Sequence, residues 1–324
     1  MRLWWLGVLA TAIAACHAPH ARNTAPEQPA IVAPRTALPV PPAPESSPLP
    51  SVSAQPSGEA RITAPLLFAA TRDGRTTYLL GTLHMGVDAK HQLPPWVWHY
   101  FTGATTFAME ADANDSALQQ AMFRSDGSSL RSELGDSTWR RIETVLGAPE
   151  ARALDDLTVP MATTAIALTG LPETQPMDAA FADAAKAQRK PIAFLESMTV
   201  QLRFAIKWMD ATALTAMLDD FALVPQRNRE LLQAYLLGEL SGLTQVVSDG
   251  RRDFVRGGRP ASRYDAMLTE LLSERNHMWV PVVERLHRTG TSFIAVGALH
   301  LPGPDGLIAL LGRRGFVVTR LKQP

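Results

Sequence analysis

Two stretches more than two hundred residues apart carry nearly the same phrase. Thr77-Tyr78-Leu79-Leu80-Gly81-Thr82-Leu83-His84 and Phe293-Ile294-Ala295-Val296-Gly297-Ala298-Leu299-His300 each run from a short apolar segment into Gly-x-x-His. Such runs of β-branched, leucine and aromatic residues predict buried strands. The glycine that closes each, Gly81 or Gly297, lets the backbone turn where a Cβ would obstruct it. In open sheets flanked by helices, ligands collect at the C-terminal edge of the strands. His84 and His300, delivered to that edge by matching devices, can therefore converge on one site. A single histidine after a strand is ordinarily a satisfied structural residue, and it is the repetition that points to function.

Carboxylates arrive in the same way. Thr105 to Met109 reads as a strand that ends in Glu110-Ala111-Asp112, and Ile192-Ala193-Phe194-Leu195 as one that ends in Glu196. A carboxylate at the end of an apolar strand is costly to bury unpaired, so each needs a receiver or a place at the surface. One receiver is visible in the helix that begins near Arg263. Its apolar stripe through Tyr264, Met267, Leu268, Leu271, Leu272, Trp279, Val282, Val283 and Leu286 leaves Arg275 and Asn276 on the same inward face. An inward guanidinium stays charged and requires an anion. Glu110, Glu196, Asp112 or a substrate carboxylate would serve; the plainer reading is a buried structural ion pair. Pro281 predicts a kink in this helix or the start of a second one.

The rest of the pattern sets the fold class. Leu66 to Ala70 and Thr76 to Leu80 flank Asp73-Gly74, a strong hairpin signal. Helical spacing dominates from 113 to about 185 and again from Thr199 to about Leu243, with a helix opening at Met177-Asp178, where the carboxylate suits the helix dipole. Gly315 to Leu321 reads as a closing strand. The expected architecture is α/β (α+β): a mixed central sheet that starts with a β-hairpin, helices packed around it, and a largely helical insert.

The amino terminus points to an address. Met1-Arg2, an apolar stretch from Leu3 to Ile13 and the small residues Ala14-Ala15 make a secretory signal over 1–15. Ile13-Ala14-Ala15-Cys16 resembles the lipobox of bacterial lipoproteins, which implies acylation of Cys16 and attachment to a lipid bilayer; His17 in place of Asp favours the outer membrane. Residues 16–60 hold eleven of the 25 prolines and almost no large apolar side chains, the composition of a disordered tether. The folded part is then 61–324. Cys16 is the single cysteine, so no internal disulfide and no cysteine metal site is available. A formal net charge of zero without any Lys/Arg run argues against nucleic acid as a partner.

Taken together, Gly81-Thr82-Leu83-His84, Glu110, Gly170-Leu171-Pro172 followed by Met177-Asp178, Leu195-Glu196-Ser197, Arg275-Asn276, and Gly297-Ala298-Leu299-His300-Leu301 followed by Gly303 resemble the TraB/GumN family, related to the animal Tiki proteins. The resemblance covers residues 64 to 322 and implies a divalent-metal-dependent peptidase. It implies His84, His300 and Glu110 as the residues carried over to the metal; the lipobox-like segment, separately, implies a lipid-anchored place in the cell envelope, at the outer membrane facing the periplasm. The chain departs from the pattern at Pro176-Met177-Asp178, where other members tend to have Gly-Leu-Asp, and this bears on the substrate pocket. Two imidazoles and one or two carboxylates make a shell suited to Zn, Mn or Co, with Glu196 as a general base and Arg275 holding a glutamate or an oxyanion. The alternative is a non-catalytic envelope protein that binds metal, haem or a polymer fragment through the same cluster. No His-Glu-x-x-His, no Gly-x-Ser-x-Gly and no phosphate-binding glycine loop competes.

Overall fold

A computed structural model describes residues 61–323. Cys16, the signal over 1–15 and the tether over 16–60 fall outside the described residues. Among the described residues, no helix is long and apolar enough to cross a membrane.

The chain opens with strands β1 (Leu67–Arg72) and β2 (Arg75–Thr82), paired antiparallel with Arg72 opposite Arg75. Asp73 and Gly74 both take positive φ, 51° and 71°, as a two-residue turn matched to strand twist requires. After helices α1 (Ala89–Gln92) and α2 (Pro95–Gly103) comes β3 (Thr106–Met109). A helical stretch follows: α3 (Ser116–Met122), α4 (Leu130–Leu146), α5 (Ala148–Ala153), α6 (Val159–Ala167) and α7 (Met177–Ala187) lead to the short β4 (Ile192–Phe194). Five more helices, α8 (Met198–Trp208), α9 (Ala211–Asp219), α10 (Leu223–Leu237), α11 (Leu240–Arg256) and α12 (Ala261–Leu268), separate β4 from a π-helical segment, Thr269–Glu274. Helix α13 (Arg275–Thr289), β5 (Ser292–Gly297), a single 3₁₀ turn (Ala298–His300), α14 (Leu307–Arg313) and β6 (Val317–Arg320) complete the order.

The six strands form one mixed sheet in the order β4-β3-β5-β2-β1-β6. β5 lies near its centre and is buried along its whole length, as its unbroken apolar sequence demands for a strand covered on both faces. It runs parallel to β2 on one side and to β3 on the other, and β3 runs parallel to β4. In the β2–β5 register Thr82 stands opposite Gly297, so the two Gly-x-x-His phrases leave the sheet side by side at one edge. Because β3 and β4 share that direction, Glu110 and Glu196 leave at the same edge.

Two hydrophobic cores support this frame. The first fills the sheet, with Phe101 and Phe181 in ring contact with each other and each with Phe107 and Phe293, at centroid distances from 5.1 to 6.1 Å. The second lies within the helical insert, around residues such as Trp139, Ile142, Met217 and Tyr264. Val247, Leu268 and Leu272 pack against both.

One local expectation is corrected. The helix does not restart at Pro281; α13 continues through it to Thr289. The missing N–H of Pro281 frees the carbonyl of His277, which lies on the exposed side of the helix, where water can satisfy it. The irregularity lies instead at the π segment just before Arg275, and π turns commonly mark functional positions. Neither Gly81 nor Gly297 takes positive φ, and Gly81 stands, as expected, where a Cβ would be obstructed. Gly81 is required for room: a Cβ there would lie 2.8 Å from Leu301 Cδ1, 3.1 Å from Ala298 Cα and 3.2 Å from Leu66 Cβ. Gly81→Val should therefore cost about 1–3 kcal/mol through overpacking, measured by urea unfolding; an unchanged midpoint would mean that the two loops part without cost.

Candidate active site

His84, Glu110, Glu196, Arg275, Asn276 and His300 come together at the C-terminal edge of the parallel strands. Arg275, in the first turn of α13 and 1% exposed, is the hub. Its Nη2 donates to Glu110 Oε2 at 2.7 Å and to Glu196 Oε1 at 2.5 Å, and its Nε donates to Glu196 Oε1 at 2.9 Å. Nη1 reaches the Leu271 carbonyl at 3.3 Å, inside the π segment, and lies 3.4 Å from His300 Nε2. The guanidinium also stacks over Trp279, 4.7 Å from the ring centroid. Of the partners anticipated for it, Asp112 is not one: its Oδ1 accepts from Asn114.

The two glutamates are spent on this lock. Glu110 Oε1 accepts from the Gly297 main-chain N–H at 2.8 Å, so that one carboxylate ties β3, the end of β5 and α13 together. Glu196 Oε2 accepts from Trp279 Nε1 at 3.2 Å. Both oxygens of Glu196 are therefore engaged, and burial holds its carboxyl above the usual range against the pull of Arg275.

Asn276 fixes the chemistry of His300. Its Nδ2 donates to the main-chain oxygens of His300, at 3.2 Å, and Asp305, at 2.8 Å. Its Oδ1 therefore faces His300 Nδ1, 2.8 Å away, and an amide oxygen can only accept. Nδ1 carries the proton and Nε2 keeps its lone pair, directed toward Arg275 Nη1. Burial first, then the charges of Arg275 and His84, push the His300 pKa well below its ordinary value, so the ring stays neutral.

His84 is placed differently. Its Nδ1 is 2.8 Å from Asp178 Oδ2, so a carboxylate stands directly behind the ring. Asp178 Oδ1 accepts from Thr82 Oγ1 at 2.9 Å. His84 Nε2 is buried without any hydrogen-bond partner. Burial alone would lower the His84 pKa, but the Asp178 carboxylate beside it, with Glu110 further off, raises it above the ordinary value.

Asp178 is the residue that sequence reasoning passed over. Its place in the first turn of α7 gave it a sufficient role at the helix dipole, yet it is only 2% exposed. A signal was available: Asp178, Phe181 and Ala185 fall at spacings of three and four, on the apolar face of the helix. Met177, beside it, gives the unusual Pro176-Met177-Asp178 triplet a local function. Its Sδ accepts from the Leu83 main-chain N–H at 3.3 Å and touches Tyr235 Oη at 3.3 Å, while that hydroxyl donates to the Gly81 carbonyl at 2.7 Å. The first Gly-x-x-His loop is thus pinned from α7 and α10.

In charge, three buried carboxylates (Glu110, Glu196, Asp178) stand against one guanidinium, a deficit of two positive units when both imidazoles are neutral. Together with the orphaned His84 Nε2, that deficit and the nitrogen and oxygen donors fit a divalent cation in charge and donor type. In spacing, Arg275 stands between the carboxylates, and among the described residues no three His, Cys, Asp or Glu side chains are gathered closely enough to hold an ion as they stand.

The sequence model of the TraB/PrgY/gumN family matches residues 66–320, a span that holds every residue of this cluster. The chain belongs to that family. No curated protein and no solved structure matches it. In this member of the TraB/PrgY/gumN family, the two Gly-x-x-His phrases supply one imidazole backed by a carboxylate and one backed by an amide.

The opposite shifts of the two histidines predict a pH signature. His300, lowered in the fold, contributes stability that is present above about pH 6.5 and lost as pH falls through it; His84, raised, contributes stability present below about pH 6.5 and lost as pH rises through its folded value. In chelator-treated protein the two partly cancel. Urea titrations from pH 8 to 5 should show His84→Asn losing stability on acidification, and His300→Asn gaining it. Each slope is bounded by about 1.4 kcal/mol per pH unit. Identical profiles for the two variants would refute the assignment.

Proposed function

We propose that this protein is a hydrolase of amide bonds, a peptidase, in which His84 activates water. The observation that carries the reading is the buried, unpartnered Nε2 of His84 with Asp178 behind the same ring. A neutral imidazole backed by a carboxylate takes a proton at Nε2 and holds the resulting charge against Asp178, then returns the proton to the departing amine. Glu196, with both oxygens bonded, leaves the base role to His84. Arg275 anchors Glu110 and Glu196, and Glu110 in turn holds the Gly297 N–H at the root of the second loop, which keeps His300 opposite His84. A divalent cation, if bound, would fall to His84, His300 and Glu110; because His84 Nδ1 faces Asp178, His84 would serve it through Nε2, and the ion's acidified water and polarisation of the substrate carbonyl would then replace the base role of His84.

We further propose that acylated Cys16 tethers the domain to the bacterial outer membrane, facing the periplasm. The supports are the Ile13-Ala14-Ala15-Cys16 sequence and the proline-rich stretch after it.

The experiment is a fluorogenic peptide library assay with and without Mn, Co or Zn, accompanied by metal analysis. Wild type should cleave, and His84→Ala combined with His300→Ala should abolish cleavage while retaining the far-UV circular dichroism of the fold. A metal content that falls in the double variant would assign the ion to these imidazoles; equal content in both proteins would remove it from this site. Peptides left intact by wild type under all conditions would favour the non-catalytic binding protein.

A further inference from the structure

A cleft of about 290 Å³ opens where the sheet core and the helical core meet, beside the loop that carries His300. Val247, Leu268 and Leu272, which pack against both cores, line it together with Leu299 and Pro302. Asn276 lines it as well, and this is the amide that fixes the His300 ring through Nδ1 and its main chain through O. The cleft is thereby one side chain away from the His300 imidazole. Asp305 is the single charged residue of its lining. That carboxylate is 47% exposed, and its ion pairs, with His277 Nε2 at 3.3 Å and Arg313 Nη2 at 3.4 Å, are both long. The loop that closes the cleft has little freedom: Gly303 takes φ +90°, and a Cβ on Gly306 would fall 2.1 Å from the Pro302 carbonyl.

We propose that this cleft receives one uncharged, apolar side chain of the substrate, next to the scissile bond, and that Asp305 turns acidic side chains away. The inference rests on the hydrolase reading and deepens it by naming a substrate class. Its volume lies at the small end of ligand pockets, which suits a single leucine- or phenylalanine-sized group more than a whole small molecule. Aliphatic walls favour such a group through the burial of apolar surface. No cation lines the cleft to offset the desolvation of an anion beside Asp305.

Binding separates this inference from the reading beneath it. Saturation-transfer NMR on the full-length protein would use the N-acetyl amides of phenylalanine, leucine and aspartate as probes. The variant is Ser248→Trp, which fills the rim from an exposed helical position where the hydroxyl bonds only to the Thr244 carbonyl of its own helix. Wild type should bind the phenylalanine and leucine amides saturably and the aspartate amide at least tenfold more weakly. Ser248→Trp should weaken the apolar probes about tenfold or more, and Asp305→Asn should narrow the gap between aspartate and leucine. Equal binding to wild type and Ser248→Trp, or no preference against aspartate, overturns the inference. If the probes behave as expected but wild type cleaves no peptide, the cleft's chemistry stands and the hydrolase reading falls. Cleavage that is indifferent both to the neighbouring side chain and to Ser248→Trp sinks the inference alone.

Discussion

Arg275→Ala should lower the folding stability by about 3–5 kcal/mol, the cost typical of breaking a buried ion pair from one side. The estimate follows from what is left behind: Glu110 and Glu196, both buried, would lose the cation that three of the guanidinium hydrogen bonds serve. Glu110 would still hold the Gly297 N–H, so the fold could not relax by turning that carboxylate to solvent without releasing the end of β5. Arg275→Lys should recover little, because an ammonium cannot reproduce the planar fork that meets two carboxylates, the Leu271 carbonyl and the face of Trp279. Adding Glu110→Gln and Glu196→Gln to Arg275→Ala should restore a large part of the loss, since the penalty lies in uncompensated charge more than in the pair itself. Urea unfolding with a double-mutant cycle measures these terms. A loss under about 1 kcal/mol in Arg275→Ala would mean that the carboxylates find protons or water inside the site, which would leave no charge deficit there for a cation to fill.

Much of this cluster could be read in the sequence because each member sits at the end of a device with its own period. An apolar run into Gly-x-x-His, or into a glutamate, marks both the strand and the edge where it stops. The inward Arg275 emerged from three- and four-residue spacing alone. What could not be read was adjacency. Nothing in the local pattern makes β5 pair with β2 on one side and β3 on the other, and that pairing is what turns duplicated phrases into neighbours. The π segment was hidden for a related reason: one wider turn shifts a helical stripe without erasing it, so the apolar positions on either side of Thr269–Glu274 still fit a continuous helix. Asp178 was masked by a local role that explained it adequately, while its partner lay 94 positions away. Pro281 signalled a break that the exposed face of α13 absorbs.

Asp178→Asn should reduce peptide turnover by about a hundred- to ten-thousand-fold, equivalent to roughly 3–5 kcal/mol of transition-state stabilisation, if His84 is the group that takes the proton from water. The substitution keeps the shape of the side chain and can keep the contact with Thr82 Oγ1, since an amide oxygen accepts as a carboxylate does. What it removes is the negative charge 2.8 Å from His84 Nδ1, the largest influence holding the ring's pKa up against burial. The base should therefore weaken, and the acid limb of the pH profile for kcat should move to lower pH while the maximum falls. A merely structural carboxylate would lower the maximum, or the melting temperature, and leave that limb in place. His300→Asn offers the contrast: its ring is neutral and lies beside Arg275, so its loss should depress turnover without moving the same limb. If the limb follows His300 and ignores Asp178, the proton acceptor is on the β5 side of the site, and the orphaned Nε2 of His84 needs a different occupant, for which a metal ion is the remaining candidate of matching charge.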